Sequence, residues 1–332
     1  MAPQTATSQL LDNCLTDAEF PELPGFVRGK VRDAYKLPDR RRLLIATDRQ
    51  SAFDQVLAAV PYKGQVLTQT ARYWFNHTSD ICPNHVISYP DPNVVLCKDL
   101  DMVPIEIVVR AYLTGSTNTS AWTMYERGER VIYGHHLPDG MKKNQKLAET
   151  IITPTTKPTG GGHDAPITEA EILESQLVTT EQWRELAEKS LALFARGQER
   201  AAKQGLILVD TKYEFGIDEN GTITIADEIH TPDSSRYWRA DSYEQKFAAG
   251  AEPDSLDKEF LRLWIAGKCD PYKDPIPEIP AETLIQFSDK YVSLFEQLTG
   301  QEFDRTDPAV PVRARIRNAL VSELPEYFTS GN

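Results

Sequence analysis

Cysteine is scarce: the 332 residues hold four, Cys14, Cys82, Cys97 and Cys269, far apart and with no C-x-x-C pair. That spacing argues against a disulfide framework and points to a reducing compartment. Histidine is thin as well. The six residues form neither H-x-x-x-H nor H-E-x-x-H, and the loop-like pair His135-His136 makes no zinc site. No apolar run approaches the roughly 18–20 residues of a membrane span. The opening MAPQTATSQLLDNCL lacks a basic segment followed by an apolar one, so it does not read as a secretory signal. A soluble, cytosolic protein is expected. A basic footprint is also missing. The formal net charge of −13 disfavours nucleic acid and anionic membranes as partners. It leaves room for small anionic substrates, because a few Arg and Lys can build a local site. The Walker pattern G-x-x-x-x-G-K-[ST], internal repeats and low-complexity tracts are all absent.

What is present suits a globular chain: 40% hydrophobic and 26% charged residues. The length allows a well-buried core and roughly two domains. Strand-like runs cover residues 42–47, 93–97 and 105–110; in the last, Glu106, Val108 and Arg110 share a face. That run stops at Thr114-Gly115-Ser116. The Pro-, Gly- and Thr-rich stretch 153–164 is a loop, either merely flexible or a cover over a ligand. Residues 179–204 open with Thr-x-x-Gln, carry apolar residues at helical spacing and stop at Gly205. A second amphipathic helix runs through Leu284 and Leu298 to Gly300, and Pro-rich 270–277 joins two helices. Arg313, Arg315 and Arg317 cluster on a further helix and read as a solvated face.

The stretch Leu208–Gly216, LVDTKYEFG, puts Asp210, Lys212 and Glu214 on one face of a strand. A solvated face of an antiparallel sheet would account for it. Asn220-Gly221 then signals a hairpin. With a two-residue turn, Glu214 lies opposite Asp227, and like charges there are destabilising. Three resolutions are open. The register shifts and brings Glu228 opposite, a carboxylate is protonated, or a cation such as Mg²⁺ sits between the two. The third is preferred, with Lys212 adding a positive charge further in. Other polar stretches are weaker alone. Asp233–Trp238 ends in Arg236, a fork for an anion or a surface arginine in a turn. Gly25–Tyr35 combines glycines with cations, as phosphate-covering turns do. Asp48–Asp54 reads as a cap or turn.

Several of these stretches together carry a resemblance. Met102–Ser116 (MVPIEIVVRAYLTGS) and Leu208–Gly216 resemble the two signatures of SAICAR synthetase. GKVRDAY at Gly29–Tyr35, SAFD at Ser51–Asp54 and PDSSRYW at Pro232–Trp238 resemble further landmarks of that family, in the same order. The likeness runs from about Gly29 to Arg262, and the 153–164 insertion and long C-terminus resemble its longer variety. It implies an α+β fold of two kinase-like or ATP-grasp-like lobes around a nucleotide site. It also implies a ligase that joins L-aspartate to the carboxylated aminoimidazole ribotide CAIR, using ATP and Mg²⁺. The domains expected are 15–115, a β-rich lobe with the glycine and cation loop, and 116–332, with the metal hairpin and substrate site.

The residue roles follow from resemblance and charge together. Glu214 and Asp227 would hold Mg²⁺, and Gly29, Lys30 and Arg32 the ATP phosphates, with adenine against Asp101 and Met102. Arg110, Ser116 and Arg236 would grip the ribotide phosphate, and Lys258 and Arg262 could close that site or form a solvated helix face. Lys212 with Asp210 would orient the reacting carboxylate and amine. Ser51 and Asp54 are candidates for aspartate, and His163-Asp164 for a closing loop. A small-molecule kinase or another carboxylate–amine ligase would use the same Mg²⁺ and phosphate groups. A non-catalytic nucleotide-binding protein is disfavoured because Lys212, Glu214 and Asp227 are all present. The oligomeric state is open, with the long form leaning to a monomer.

Overall fold

The structure, a computed structural model, describes residues 3–328 except Asp54, Asn118 and 158–164, with side chains from Ser8 onward. His163-Asp164 and Asp54 therefore lie outside the described residues. The chain divides into two compact units, one of residues 1–73, 85–99 and 264–332, the other of 74–84 and 100–263. Set against a division at 115/116, residues 100–115 group with the second unit and 264–332 with the first.

The first unit is built on an antiparallel sheet of order β1 (Phe26–Arg28), β2 (Arg32–Lys36), β3 (Arg41–Ala46), β7 (Val94–Lys98), β6 (Val86–Asp91). A separate hairpin pairs β4 (Arg49–Ala52) with β5 (Gln55–Ala59). Leu43 and Ile45, two apart on β3, are fully buried, as strand alternation requires. They pack with Tyr35, Leu96 and with Ile316 and Leu320 of helix α9 (Val312–Glu323). The other helices here are α1 (Pro3–Asp12), α8 (Ala281–Thr299), α10 (Pro325–Phe328) and α2 (Lys63–Thr78) up to Tyr73, its remainder grouping with the second unit. Gly300 ends α8 in the left-handed conformation, φ 68°. The α9 arginines are not a plain solvated face. Arg315 donates to Asp91 at 2.5 Å and Asn93 at 2.8 Å, Arg313 to Asp17 at 2.9 Å and Arg317 to Glu22 at 2.6 Å. Their acceptors come from segments more than 200 residues earlier, so helical spacing alone could not reveal them.

The second unit centres on β8 (Asp101–Leu113) and β14 (Leu206–Ile217), neighbours in a seven-stranded antiparallel sheet. Beyond β8 lie β11 (Gln145–Ile152), β12 (Thr155–Thr156) and β13 (Ala165–Pro166); beyond β14 lie β15 (Ile223–Ala226) and β16 (Ser235–Arg239). A small pair, β9 (Val131–Ile132) and β10 (His135–His136), and helices α3 (Ala121–Glu126), α4 (Glu169–Glu174) and α6 (Ala240–Ala248) complete it. Helix α7 (Glu259–Ala266) begins in this unit. Residues 101–103 extend β8 at its start, ahead of the run expected from 105.

Helix α5 (Thr180–Lys203) packs on β14 through Trp183, Leu186, Leu193 and Phe194. Gly197 permits the approach, because a Cβ there would stand 2.6 Å from the Leu208 side chain. The predicted capping box is present. Thr179 Oγ1 accepts from Gln182 N at 3.2 Å, and Gln182 Oε1 accepts from Thr179 N at 2.9 Å. Thr179→Ala is expected to cost about 1 kcal/mol of stability, read as a lower midpoint in urea with an unchanged slope.

The Asn220-Gly221 hairpin forms, but with a longer turn. Asp218 Oδ1 accepts from the N–H groups of Asn220 and Thr222, at 3.0 and 2.9 Å, and Asp218 N donates to Thr222 O at 3.1 Å. Three residues thus form the loop, with Gly221 at φ 80°. The register moves by one: Glu214 faces Ala226, and neither Asp227 nor Glu228. Asp227 follows β15 at φ 57°.

Candidate active site

The charged face of β14 meets the Glu106, Val108, Arg110 face of β8. The register sets Asp210 opposite Arg110, Lys212 opposite Val108 and Glu214 opposite Glu106. On the other edge, β16 sets Arg236 opposite Asp210. Val108, Arg110, Asp210, Lys212 and Arg236 of this face, together with residues 257, 258 and 262, line a cavity of about 190 Å³, and Glu106 and Glu214 lie next along the strands. Six residues singled out from sequence, Arg110, Asp210, Lys212, Arg236, Lys258 and Arg262, share its wall. The face is therefore neither a solvated surface nor packed core.

At one end of the cavity, charges alternate. Asp210 Oδ2 accepts from Arg110 Nη1 at 3.1 Å and from Arg236 Nη1 at 2.7 Å. Arg110 Nε donates to Thr153 Oγ1 at 2.8 Å. Glu259 continues the series. Its Oε1 accepts from Ser116 Oγ at 2.5 Å, and its Oε2 from Arg262 Nη1 at 3.0 Å and Arg236 Nη2 at 3.4 Å. Asp257 fixes Glu259 from below, accepting the N–H of Glu259 at 2.7 Å and of Tyr237 at 2.8 Å. Burial raises the Asp257 pKa to about 6. Burial also opposes ionisation of Glu259, but Arg236 and Arg262 outweigh it and bring that carboxyl down to about 2. Burial lowers the Arg236 pKa, and Asp210 and Glu259 more than reverse this. Among the described residues, the buried Nε of Arg236 and of Arg262 have no hydrogen-bond partner. Buried donors without acceptors are costly, and an anion in the cavity would supply what is missing.

At the other end, Lys212 Nζ donates to Glu106 Oε1 at 2.9 Å and to Glu214 Oε1. Lys157 Nζ bonds Glu214 Oε2 and lies 3.6 Å from Glu106. Burial disfavours the Lys212 charge, yet Glu214, Glu106 and Asp227 outweigh it and hold its pKa well above the lysine range. Burial likewise disfavours the Glu214 charge, and Lys212 and Lys157 hold that carboxyl well below its usual range. Lys212 therefore stays cationic and Glu214 anionic at neutral pH. Glu214 and Asp227 offer the hard carboxylate oxygens that Mg²⁺ takes when phosphate oxygens and water complete its shell. Among the described residues no three His, Cys, Asp or Glu side chains converge as a closed metal site. The donor set thus fits an ion shared with a ligand.

The remaining expected residues lie elsewhere. Gly29, Lys30 and Arg32 form the tight turn between β1 and β2, closed by Gly29 N donating to Arg32 O at 2.9 Å. A Cβ on Gly29 would meet Arg32 O at 2.4 Å. Buried Arg49 holds this turn, donating to Gly29 O at 2.8 Å and to Asp33 Oδ1 at 2.6 Å. It thereby joins the GKVRDAY stretch to the residues that precede SAFD. Ser51 lies on β4, in the same unit. Asp101 and Met102 open β8 opposite Ile217 and Gly216. Four residues escaped the sequence reading: Glu106, Lys157, Asp257 and Glu259. Glu106 could have been found, because it shares a face with Arg110 in the run 105–110. Lys157 carried no signal beyond its loop.

The sequence profile described as SAICAR synthetase matches residues 25–279. A provisionally named phosphoribosylaminoimidazole-succinocarboxamide synthase 2 of Agrobacterium fabrum is 60% identical over 94% of this chain and 98% of its own length. The SAICAR synthase of Saccharomyces cerevisiae, solved in complex with SAICAR, superposes with a TM-score of 0.76 at 32% identity, covering 88% of this chain and all of that one. A SAICAR synthetase solved with ADP superposes at 0.64 with 25% identity, covering 84% of this chain and all of that one. With a profile match spanning most of its length and relatives covered almost end to end, this chain belongs to the SAICAR synthetase family.

Proposed function

We propose that the chain is an ATP-dependent carbon–nitrogen ligase of purine biosynthesis, joining L-aspartate to the CAIR carboxylate to give SAICAR, ADP and phosphate. The observation that carries this reading is the shared cavity. Arg110, Asp210, Lys212, Arg236, Lys258 and Arg262 line one wall, and the facing carboxylates of Glu214 and Glu106 adjoin it on the same strands. A kinase-type phosphate site alone would not need that array.

A carboxylate is a poor acyl donor, because its charge repels an amine and its leaving group is oxide. Transfer of the γ-phosphoryl group to a CAIR carboxylate oxygen breaks the bond to ADP and makes an acyl phosphate. The aspartate amine then forms the C–N bond, the C–O bond to phosphate breaks, and the nitrogen gives up a proton. Such phosphoryl transfer is mostly positioning and charge neutralisation. Lys212, held cationic, would orient the CAIR carboxylate with Asp210 beside it. Arg110, Arg236 and Ser116 would grip the ribotide phosphate, and Lys258 and Arg262 would close over it. Gly29, Lys30 and Arg32 would hold ATP phosphates, and the backbone of Asp101 and Met102 the adenine. Ser51 and Asp54 would serve aspartate. Glu214 and Asp227 would hold Mg²⁺, which supplies neutralisation of phosphate charge when bound.

A monomer in the cytoplasm is proposed as the working form; among the described residues no helix is long and apolar enough to cross a membrane. The test is coupled ADP release from purified protein with Mg·ATP, adding CAIR and L-aspartate singly and then together. ADP that depends on both, with a succinocarboxamide product, is the expected outcome. Turnover with one acceptor alone would replace the ligase by a kinase.

A further inference from the structure

Glu214 is flanked by two ammonium groups, one on each carboxylate oxygen: Lys212 on Oε1 and Lys157 on Oε2. Glu106 faces it across the strand pair and shares the same two cations. Two carboxylates and two ammoniums balance. A divalent cation cannot join that quartet on Glu214 as it stands. Both oxygens are taken, and with Asp227 counted, three carboxylates, two ammoniums and a divalent ion would leave an excess of one. One lysine has to withdraw.

The surroundings decide which. Lys212 projects from the middle of β14, where Glu214, Glu106 and Asp227 all act on its charge. Lys157 follows the two-residue strand β12, its backbone N–H held by Pro104 O at 3.2 Å. Its side chain is 38% exposed, against 30% for Lys212, so the three carboxylates around Lys212 separate the two more than exposure does. A long, half-exposed ammonium stem can swing into water at little desolvation cost, whereas a lysine between three carboxylates cannot.

We infer that Lys157 occupies the cation position on Glu214 in the nucleotide-free chain and gives it up to the arriving metal. The inference rests on the assignment of Glu214 to Mg²⁺ made under Proposed function. Lys157 is then a positioning residue that keeps two facing carboxylates compatible until the metal comes, and it sets the metal concentration the enzyme requires.

The test is Mn²⁺ binding to the full-length chain without nucleotide, followed by electron paramagnetic resonance. Wild type, Lys157→Met, Lys157→Gln and Glu214→Gln are compared. Removing one positive charge beside a divalent ion is expected to tighten Mn²⁺ by about tenfold or more in both Lys157 variants. The same variants should melt at lower temperature than wild type without metal and recover more than wild type on adding Mn²⁺. Glu214→Gln should abolish the site. Lys157 variants with wild-type or weaker Mn²⁺ affinity, while Glu214→Gln loses binding, would overturn the inference and leave the metal assignment standing. Wild-type Mn²⁺ binding in Glu214→Gln would instead remove the metal from Glu214 and take the inference with it. Weaker Mn·ADP binding in the Lys157 variants, with Mn²⁺ alone unchanged, would make Lys157 a phosphate ligand and also overturn it.

Discussion

Glu214→Gln is expected to lower ADP formation by roughly two to three orders of magnitude, with Mg·ATP use affected far more than CAIR binding. The substitution keeps the shape of the side chain and removes its charge. Glu106 and Asp227 then face two ammonium groups, and a site whose carboxylates no longer exceed its cations has little attraction left for a divalent ion. Burial adds to the effect, because the charge is taken from a place where solvent screens little. The fold should survive, since the amide retains an acceptor for Lys212 and β14 stays paired on both edges. The measurements are ADP release over a range of Mg²⁺ concentrations and a thermal melt. Full activity at ordinary Mg²⁺ would mean that the ion is held elsewhere.

The second large effect is expected at the opposite end of the cavity. Arg110→Ala should raise the KM for CAIR by about 10- to 100-fold, the range of a lost charge-assisted hydrogen bond of roughly 1.5–3 kcal/mol. The KM for ATP should hold within about twofold, because P-O contacts to the nucleotide are assigned to other residues. Arg110 is buried and carries two partners, Asp210 and Thr153. Its loss also leaves Asp210 to Arg236 among the described residues, so stability should fall as well. A Thr153→Val variant separates the two effects: it removes one support of the guanidinium and keeps the charge. If Arg110→Ala changed the KM for ATP and left that for CAIR alone, the division of the cavity into a phosphate end and a metal end would be wrong.

The balance of charge in the cavity explains why these two variants differ in kind. At the Arg110 end, three arginines alternate with Asp210 and Glu259, and two buried guanidinium nitrogens find no acceptor among the described residues. A phosphate bound there, as proposed, would meet donors already held in place, which reduces the ordering cost of binding. At the Glu214 end the charges are already paired, so the proposed metal ion would exchange for a cation.

Much of this was legible along the chain. The capping box at Thr179 and Gln182, the stops at Gly205 and Gly300, and the alternation at 208–216 are local, and each was found where the sequence placed it. Local signals are readable because hydrogen bonds between near neighbours and side-chain period depend on a few adjacent residues. The resemblance of two long stretches to one family added the expected ligand for each site, which period and charge could not supply.

One local feature was ambiguous, and two things were decided only by tertiary structure. The hairpin register turned on whether the Asn220-Gly221 loop held two or three residues, and the Asp218 side chain settled it by accepting two backbone N–H groups. The carboxylate facing Glu214 proved to be Glu106, 108 residues earlier, because β8 and not β15 presents an acid at that level. Lys157, Asp257 and Glu259 entered the site as partners of residues already chosen, Lys157 from the segment after β12 and the two acids from the start of α7. A strand's own sequence determines which side chains share a face. Which face of which other strand it meets is set by the packing of the whole sheet, where pairing across more than 100 residues is decided by buried area and charge balance together.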